Sequence, residues 1–290
     1  MINRMFKSII VYLIVIIPLI GQVETYVHKQ PKVIEVSNTQ NDAFTLLDKG
    51  AYSQALRKFE VLLEGNPSLQ SALIGKGKCL FELGRYNAAF EIFSWLHGAF
   101  PNNAYVLECM GDIEFHSSRL SQALAFYKKA QKIVPDKPSL YDSLTKTFLC
   151  LEDSEMASQN SKLAILLNNK KGEVAPFSLI LAYFAFAEDA DSIEQNSALK
   201  YIERLNLRKK NAWPYPILSF IKGTLKSTEL LSYVESEEQE IQAHAYIGLK
   251  LRLEDQDGAA RKHLDWVKQS NKMQLFETIY VNSIPLKPKV

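Results

Sequence analysis

The residues able to do chemistry are thinly spread. His28, His97, His116, His244 and His263 show no H-E-x-x-H and no other ligand spacing, so neither a zinc-type centre nor a paired general base is marked. His116, expected in a groove, is the one imidazole worth attention, and a solvated surface ring is its simpler reading. Cys79, Cys109 and Cys150 lie 30 and 41 residues apart with no CxxC, and a cysteine within a helix usually serves as a small buried hydrophobe. Gly75-Lys76-Gly77-Lys78 contains a G-x-G fragment. No strand precedes it, so it is no phosphate cradle. There is no G-x-S-x-G, Walker or Rossmann pattern, and the abundant carboxylates have no evident concave site to gather them. The net charge of +2 supplies no basic field for nucleic acid. These residues predict a non-enzymatic chain that needs no cofactor and no metal and works by binding.

Such a chain depends on the elements that present its surface. Its 47% hydrophobic and 23% charged residues are those of a globular protein. Pro67, Pro101 and Pro135 recur every 34 residues, a period that marks helical-hairpin repeats. In that register small residues share one place (Ala43, Gly77, Gly111) and a second (Ala55, Ala89, Ala123), while aromatics share a third (Phe59, Phe93, Tyr127). The small residues let two helices cross closely, the aromatic fills the seam, and proline ends the second helix. A weaker fourth unit offers Tyr141, Leu144, Phe148, Ala157 and Ala164, with Asn169 where proline is expected. The pattern resembles the tetratricopeptide repeat (TPR). The expected fold is all-α, a TPR superhelix of stacked antiparallel helical hairpins.

The expected organisation runs from a signal peptide or membrane anchor (1–22) through a linker (23–38) to TPR units 1–4 (39–170). Divergent hairpins closing the superhelix (171–285) and a short tail (286–290) follow. Arg4 and Lys7 precede an apolar run from Ile9 to Ile20, the composition of an export signal. Leu19-Ile20-Gly21 reads like a lipobox, but Gln22 stands where the lipidated cysteine would be. The run Ala175 to Ala187 is almost wholly apolar and is expected as a core helix. Trp213-Pro214-Tyr215-Pro216-Ile217 is a rigid break. Ser227-Thr228-Glu229-Leu230-Leu231 is expected to open a short helix with a serine cap. Ala243 to Arg252 with Ala259 to Lys268 reads as a last hairpin, Gly248 and Ala260 at its close-packing places, and Phe276 to Ile284 as a capping helix. The short charge runs, Arg208 to Lys210 and Glu235 to Glu240, read as solvated segments.

The stretch 212–284 resembles the end of NlpI-like TPR lipoproteins, though Glu277-Thr278-Ile279-Tyr280 departs from that motif's usual close. The resemblance implies a periplasmic or membrane-anchored adaptor that gathers peptidoglycan hydrolases or proteases. An assembly factor for a pilus or secretion apparatus, and a cytoplasmic accessory subunit, are the alternatives. In a TPR array the first helix of each hairpin lines the concave groove. The partner-facing residues expected by that rule are Ile74, Lys78, Phe81 and Glu82, then Tyr105, Glu108, Asp112, Phe115 and His116, then Asp142 and Lys146. Aromatics mixed with both charge signs suit a bound peptide or helix, and the acids at 108, 112 and 142 argue against capture of a C-terminal carboxylate. The expected partners are proteins or peptides, with the membrane met only through the N-terminal segment, no nucleic acid, and self-association open.

Overall fold

The computed structural model describes residues 37–189, 192–204, 211–270, 272 and 275–284. The expected export segment, nearly all of the linker, Arg208 to Lys210 and the C-terminal tail lie outside the described residues. The described secondary structure is α-helical, in fifteen helices with no strand among those residues. They are α1 (37–48), α2 (Tyr52–Gly65), α3 (Gln70–Glu82), α4 (Tyr86–Ala99), α5 (Ala104–His116), α6 (Leu120–Ile133), α7 (Pro138–Cys150) and α8 (Ser154–Lys171). There follow α9 (Pro176–Glu188), α10 (Ser192–Arg204), α11 (Tyr215–Ile221), α12 (Ser227–Leu231), α13 (Glu237–Leu253), α14 (Asp257–Lys268) and α15 (Phe276–Ser283). Helix α1 starts at Ser37, two residues inside the stretch expected as linker. The described residues form two compact units, one ending at Leu96 and one starting at His97.

One backbone device makes the repeat. Gly50, Gly84, Ser118 and Glu152 all have positive φ, between 58° and 74°, and stand 34 residues apart. Each closes a first helix with a left-handed residue. The following amide reaches back to a carbonyl five residues earlier: Ala51 to Leu46, Arg85 to Leu80, Arg119 to Glu114 and Asp153 to Phe148, at 2.8–3.0 Å. Asp255 (φ 56°) and the Gln256 to Leu251 bond repeat the device in the last hairpin.

In the first unit, Phe59 is wholly buried and meets Phe44 edge-on at 5.0 Å. It also lies against Gly75 of the next hairpin, where an added Cβ would fall 2.2 Å from the ring. Gly77 takes the Phe93 ring of its own hairpin in the same way, its Cβ position 2.7 Å from that ring. The G-x-G fragment thus admits two aromatic rings, one from each side.

In the second unit Gly111 accepts Tyr127, with 2.5 Å to a virtual Cβ, and α7 packs on α8. Helix α8 has 18 residues where α2, α4 and α6 each have 14. The physical reason is Asn169 in place of proline: no pyrrolidine stops the helix, which continues to a left-handed Gly172. Helix α9 packs on α7, α8, α10 and α11 and is buried from Ser178 to Phe186, which accounts for its apolar run. No helix among the described residues is long and apolar enough to cross a membrane.

Three local expectations need correction. The stretch expected as a rigid break already belongs to helix α11 from Tyr215 onward, because Pro216 falls in the first turn, where an amide hydrogen is not needed. The cap of α12 is not a serine side chain; the Lys226 amide donates to the Glu229 carboxylate at 2.7 Å instead. Helix α13 begins six residues before Ala243, with Ser236 Oγ accepting from the Gln239 amide at 3.3 Å. Glu237, Glu238 and Glu240 fall in its first turn, where acids favour the helix dipole.

Candidate partner-binding face

On α3, in the first unit, Ile74, Lys78 and Phe81 are half-buried and Glu82 is exposed. The Phe81 ring lies 5.5 Å from that of Tyr86. Cys79, on the same helix, is buried, and that burial pushes its thiol up to about 11, far from the range of a reactive thiolate.

In the second unit, α5 and the start of α7 bring several of the expected residues together. Glu108 forms an ion pair with Lys137, which caps α7, and accepts a long bond from Ser139 Oγ at 3.4 Å. The Lys137 ammonium also stands 5.8 Å from the centre of the Tyr105 ring, within cation–π range. One turn along α5, Asp112 accepts the Tyr127 hydroxyl at 2.7 Å. Burial pushes its carboxyl up to about 6; the Tyr127 hydrogen bond, Lys146 and Lys137 oppose this, and Glu108 adds to it. Lys137 was not among the residues expected, because it lies before the helix rather than on it.

Three of the expected groove residues are engaged by other parts of the fold. Phe115 is only 3% exposed, with Phe276 of α15 at 6.4 Å. Lys146 holds its ammonium 5.6 Å from the centre of the same Phe276 ring. Asp142 turns towards the seam with α8 and α9, where its Oδ2 accepts from Ser178 Oγ at 2.6 Å and Asn168 Nδ2 donates to that oxygen at 3.3 Å. Its Oδ1 is enclosed with no hydrogen-bond partner among the described residues. Burial raises this carboxyl, with Ser178 and Lys146 relieving part of the effect. His116 is half-buried and meets the Phe115 ring edge-on at 5.5 Å.

The cause is α15. Expected as a cap, it packs against α7, α13 and α14 and so covers part of the α7 face. A polar ladder holds it there: Trp213 Nε1 donates to Gln242 Oε1 at 2.6 Å, and Gln242 Nε2 and the Tyr246 hydroxyl donate to buried Glu277 at 3.2 and 2.9 Å. At the other end Tyr280 and Arg252 both donate to Glu188, each at 3.2 Å.

The surface beside Tyr105 stays open. An open groove of about 700 Å³ runs along Phe100, Pro101, Asn103, Tyr105, Ile133 and Val134. Phe100, Tyr105 and Ile133 are 42%, 37% and 40% exposed. The groove is a shallow, open depression with a mainly apolar lining. Phe100 and Ile133 immediately precede the terminating Pro101 and the Val134-Pro135 pair. In the sequence they read as helix ends, and their 33-residue separation, one short of the repeat, was the available signal that both stand at one edge.

Residues 41–178 match the family model described as the N-terminal TPR repeats region of Psidin. A probable UDP-N-acetylglucosamine–peptide N-acetylglucosaminyltransferase SPINDLY from Arabidopsis thaliana is 33% identical over 99 residues, which are 34% of this chain and 11% of the relative. The chain thus spans about a tenth of the length of the curated relatives that it matches. A tetratricopeptide-repeat protein from Parabacteroides merdae has a similar structure at a TM-score of 0.57 and 13% identity, covering 85% of this chain and 98% of that one. A TPR protein from Thermus thermophilus superposes at 0.51 and 18% identity, covering 65% of this chain and 97% of its own. Repeats in phase, left-handed turns 34 residues apart and these likenesses give the chain the tetratricopeptide-repeat fold, with a TPR repeat region matched over residues 41–178.

Proposed function

We propose that this protein is a non-enzymatic scaffold that captures a protein partner at the Phe100–Tyr105–Ile133 groove. The observation that carries the reading is that groove: three large apolar side chains exposed side by side around about 700 Å³, beside the Lys137–Glu108 ion pair. Exposed aromatics flanked by charge are the anchors of protein interfaces, where they bury area at little entropic cost. The partner fitted to it presents an apolar anchor, with a polar neighbour able to reach the Glu108–Lys137 pair next to Tyr105.

The proposed setting is the cell envelope of a bacterium, the chain being exported and either free in the periplasm or held at the membrane. Support comes from the basic and then apolar N-terminal sequence and from the C-terminal resemblance to NlpI-like TPR lipoproteins. Cell-wall hydrolases or proteases are the partners that this resemblance implies.

The test is a crosslinked pull-down from fractionated cells with the full chain tagged after Val290. Phe100→Ala with Tyr105→Ala is expected to reduce capture at least ten-fold while leaving the helical circular dichroism unchanged, since both rings are largely outside the core. Undiminished capture moves the binding site elsewhere. Recovery of pilus or secretion components in place of hydrolases replaces the adaptor role with an assembly role, and a purely cytoplasmic chain removes the envelope setting.

A further inference from the structure

The crossing of α13 and α14 creates a second constellation, which the partner groove does not use. Gly248 and Ala260 sit at the closest approach, where a Cβ added to Gly248 would fall 2.6 Å from Leu264 and 3.2 Å from the Ala260 carbonyl oxygen. One turn from each, that approach brings His244 and His263 face to face, Nδ1 to Nδ1 at 3.0 Å. Their ring centres are 4.9 Å apart and their planes 43° from each other. The indole of Trp266 stacks on His244 at 4.2 Å and 16°, which fixes that ring's orientation. Both imidazoles are half-buried.

We infer that His244 and His263 form a two-imidazole site for a divalent transition-metal ion of the copper(II) type. Nitrogens bound at about 2.0–2.1 Å to one ion are about 2.8–3.0 Å apart when they occupy adjacent positions at a right angle, and about 3.3–3.4 Å apart at a tetrahedral angle. The observed 3.0 Å lies in the right-angle range. Tetragonal geometry with nitrogen ligands is that of copper(II) and nickel(II), and copper heads the affinity order for such sites. Burial lowers both imidazoles below their ordinary range, with His244 adding to the effect on His263, so both rings are neutral at pH 7. In the hydrogen-bonded pair one Nδ1 carries the proton; metal binding requires both imidazoles in the tautomer with the proton on Nε2, so that both Nδ1 lone pairs face the ion. No third histidine, cysteine, aspartate or glutamate completes a ligand set among the described residues; the outer positions of the ion would carry water, which the half-exposed rings admit.

The full chain, purified without a polyhistidine tag, is titrated calorimetrically with copper(II), nickel(II) and zinc(II), and the copper complex is read by electron paramagnetic resonance. The expected result is one equivalent bound in the order copper, nickel, zinc, hyperfine structure from two nitrogens, and a Tm raised by several degrees. His263→Gln and His244→Gln are each expected to weaken copper binding at least ten-fold, and His97→Gln to leave it unchanged. Absence of one-equivalent binding overturns the site and leaves the pair as a plain imidazole–imidazole hydrogen bond. Binding that survives both His244→Gln and His263→Gln, or hyperfine structure from fewer than two nitrogens in the unaltered chain, also overturns it. The resonance measurement needs no variant, so a substitution that unfolds the hairpin does not remove the test.

Discussion

Gly75→Ala separates the packing argument from simple helix propensity. In the interior of α3, alanine favours the helix over glycine by about 1 kcal/mol, so secondary structure alone predicts stabilisation. The tertiary structure predicts the reverse. The new Cβ would lie 2.2, 2.4 and 2.6 Å from three atoms of the Phe59 ring, and Phe59 is wholly buried, with no room to retreat. Overpacking costs roughly 1–3 kcal/mol and sometimes more, and contacts as short as 2.2 Å place it in the upper part of that range, at about 2–3 kcal/mol, leaving a net loss of about 1–2 kcal/mol. At ~2–4 °C per kcal/mol for a chain of this size, Tm falls by roughly 2–8 °C. Thermal and urea unfolding followed at 222 nm measure it. Gly258→Ala is the control: it lies in α14 with nothing within 4 Å of the new methyl, and Tm should hold or rise slightly. Repeating Gly75→Ala in a Phe59→Leu background removes the ring and should turn the penalty into a small gain. A Tm for Gly75→Ala equal to or above that of the parent would refute the reasoning, as would a penalty that persists without the ring.

Two further outcomes follow from the same geometry. Glu152 has φ 58° at the turn where Gly50 and Gly84 stand in earlier repeats, so Glu152→Gly should stabilise by about 1 kcal/mol, read as a higher urea midpoint at unchanged slope. Asp112 carries a folded-state pKa raised from 3.8 to about 6, chiefly by burial. The folded chain therefore binds more protons than the unfolded one between about pH 4 and 6, and stability falls as pH rises through that window. At ~1.4 kcal/mol per pKa unit this amounts to about 2–3 kcal/mol. Asp112→Asn, which can still accept the Tyr127 hydroxyl, should be more stable at pH 7 and should flatten the unfolding free energy across that range; an unchanged pH profile would show that Asp112 is not the group responsible.

Local residue chemistry determined much of this protein. Proline ends a helix and the αL turn favours glycine whatever surrounds them, so Pro67, Pro101, Pro135, Gly50 and Gly84 place the hairpins by themselves. Small and aromatic residues in phase place the seams, and the apolar run at 175–187 declares a helix buried on every side. Non-local packing decided the rest. Nothing near Gly75 in the chain announces Phe59, because the ring arrives from the preceding hairpin. Ser118 and Glu152 hide the turn's period, since the backbone is held there by the hydrogen bonds around it and not by the residue type. The same holds for function: the face expected around Phe115 and Lys146 is covered by α15, more than a hundred residues later in the chain, and Asp142 is drawn into the seam by Ser178. Phe100 and Tyr105 with Ile133, and His244 with His263, become sites only where helices bring them together, because the sequence specifies which side chains exist and the packing of the helices specifies which of them meet.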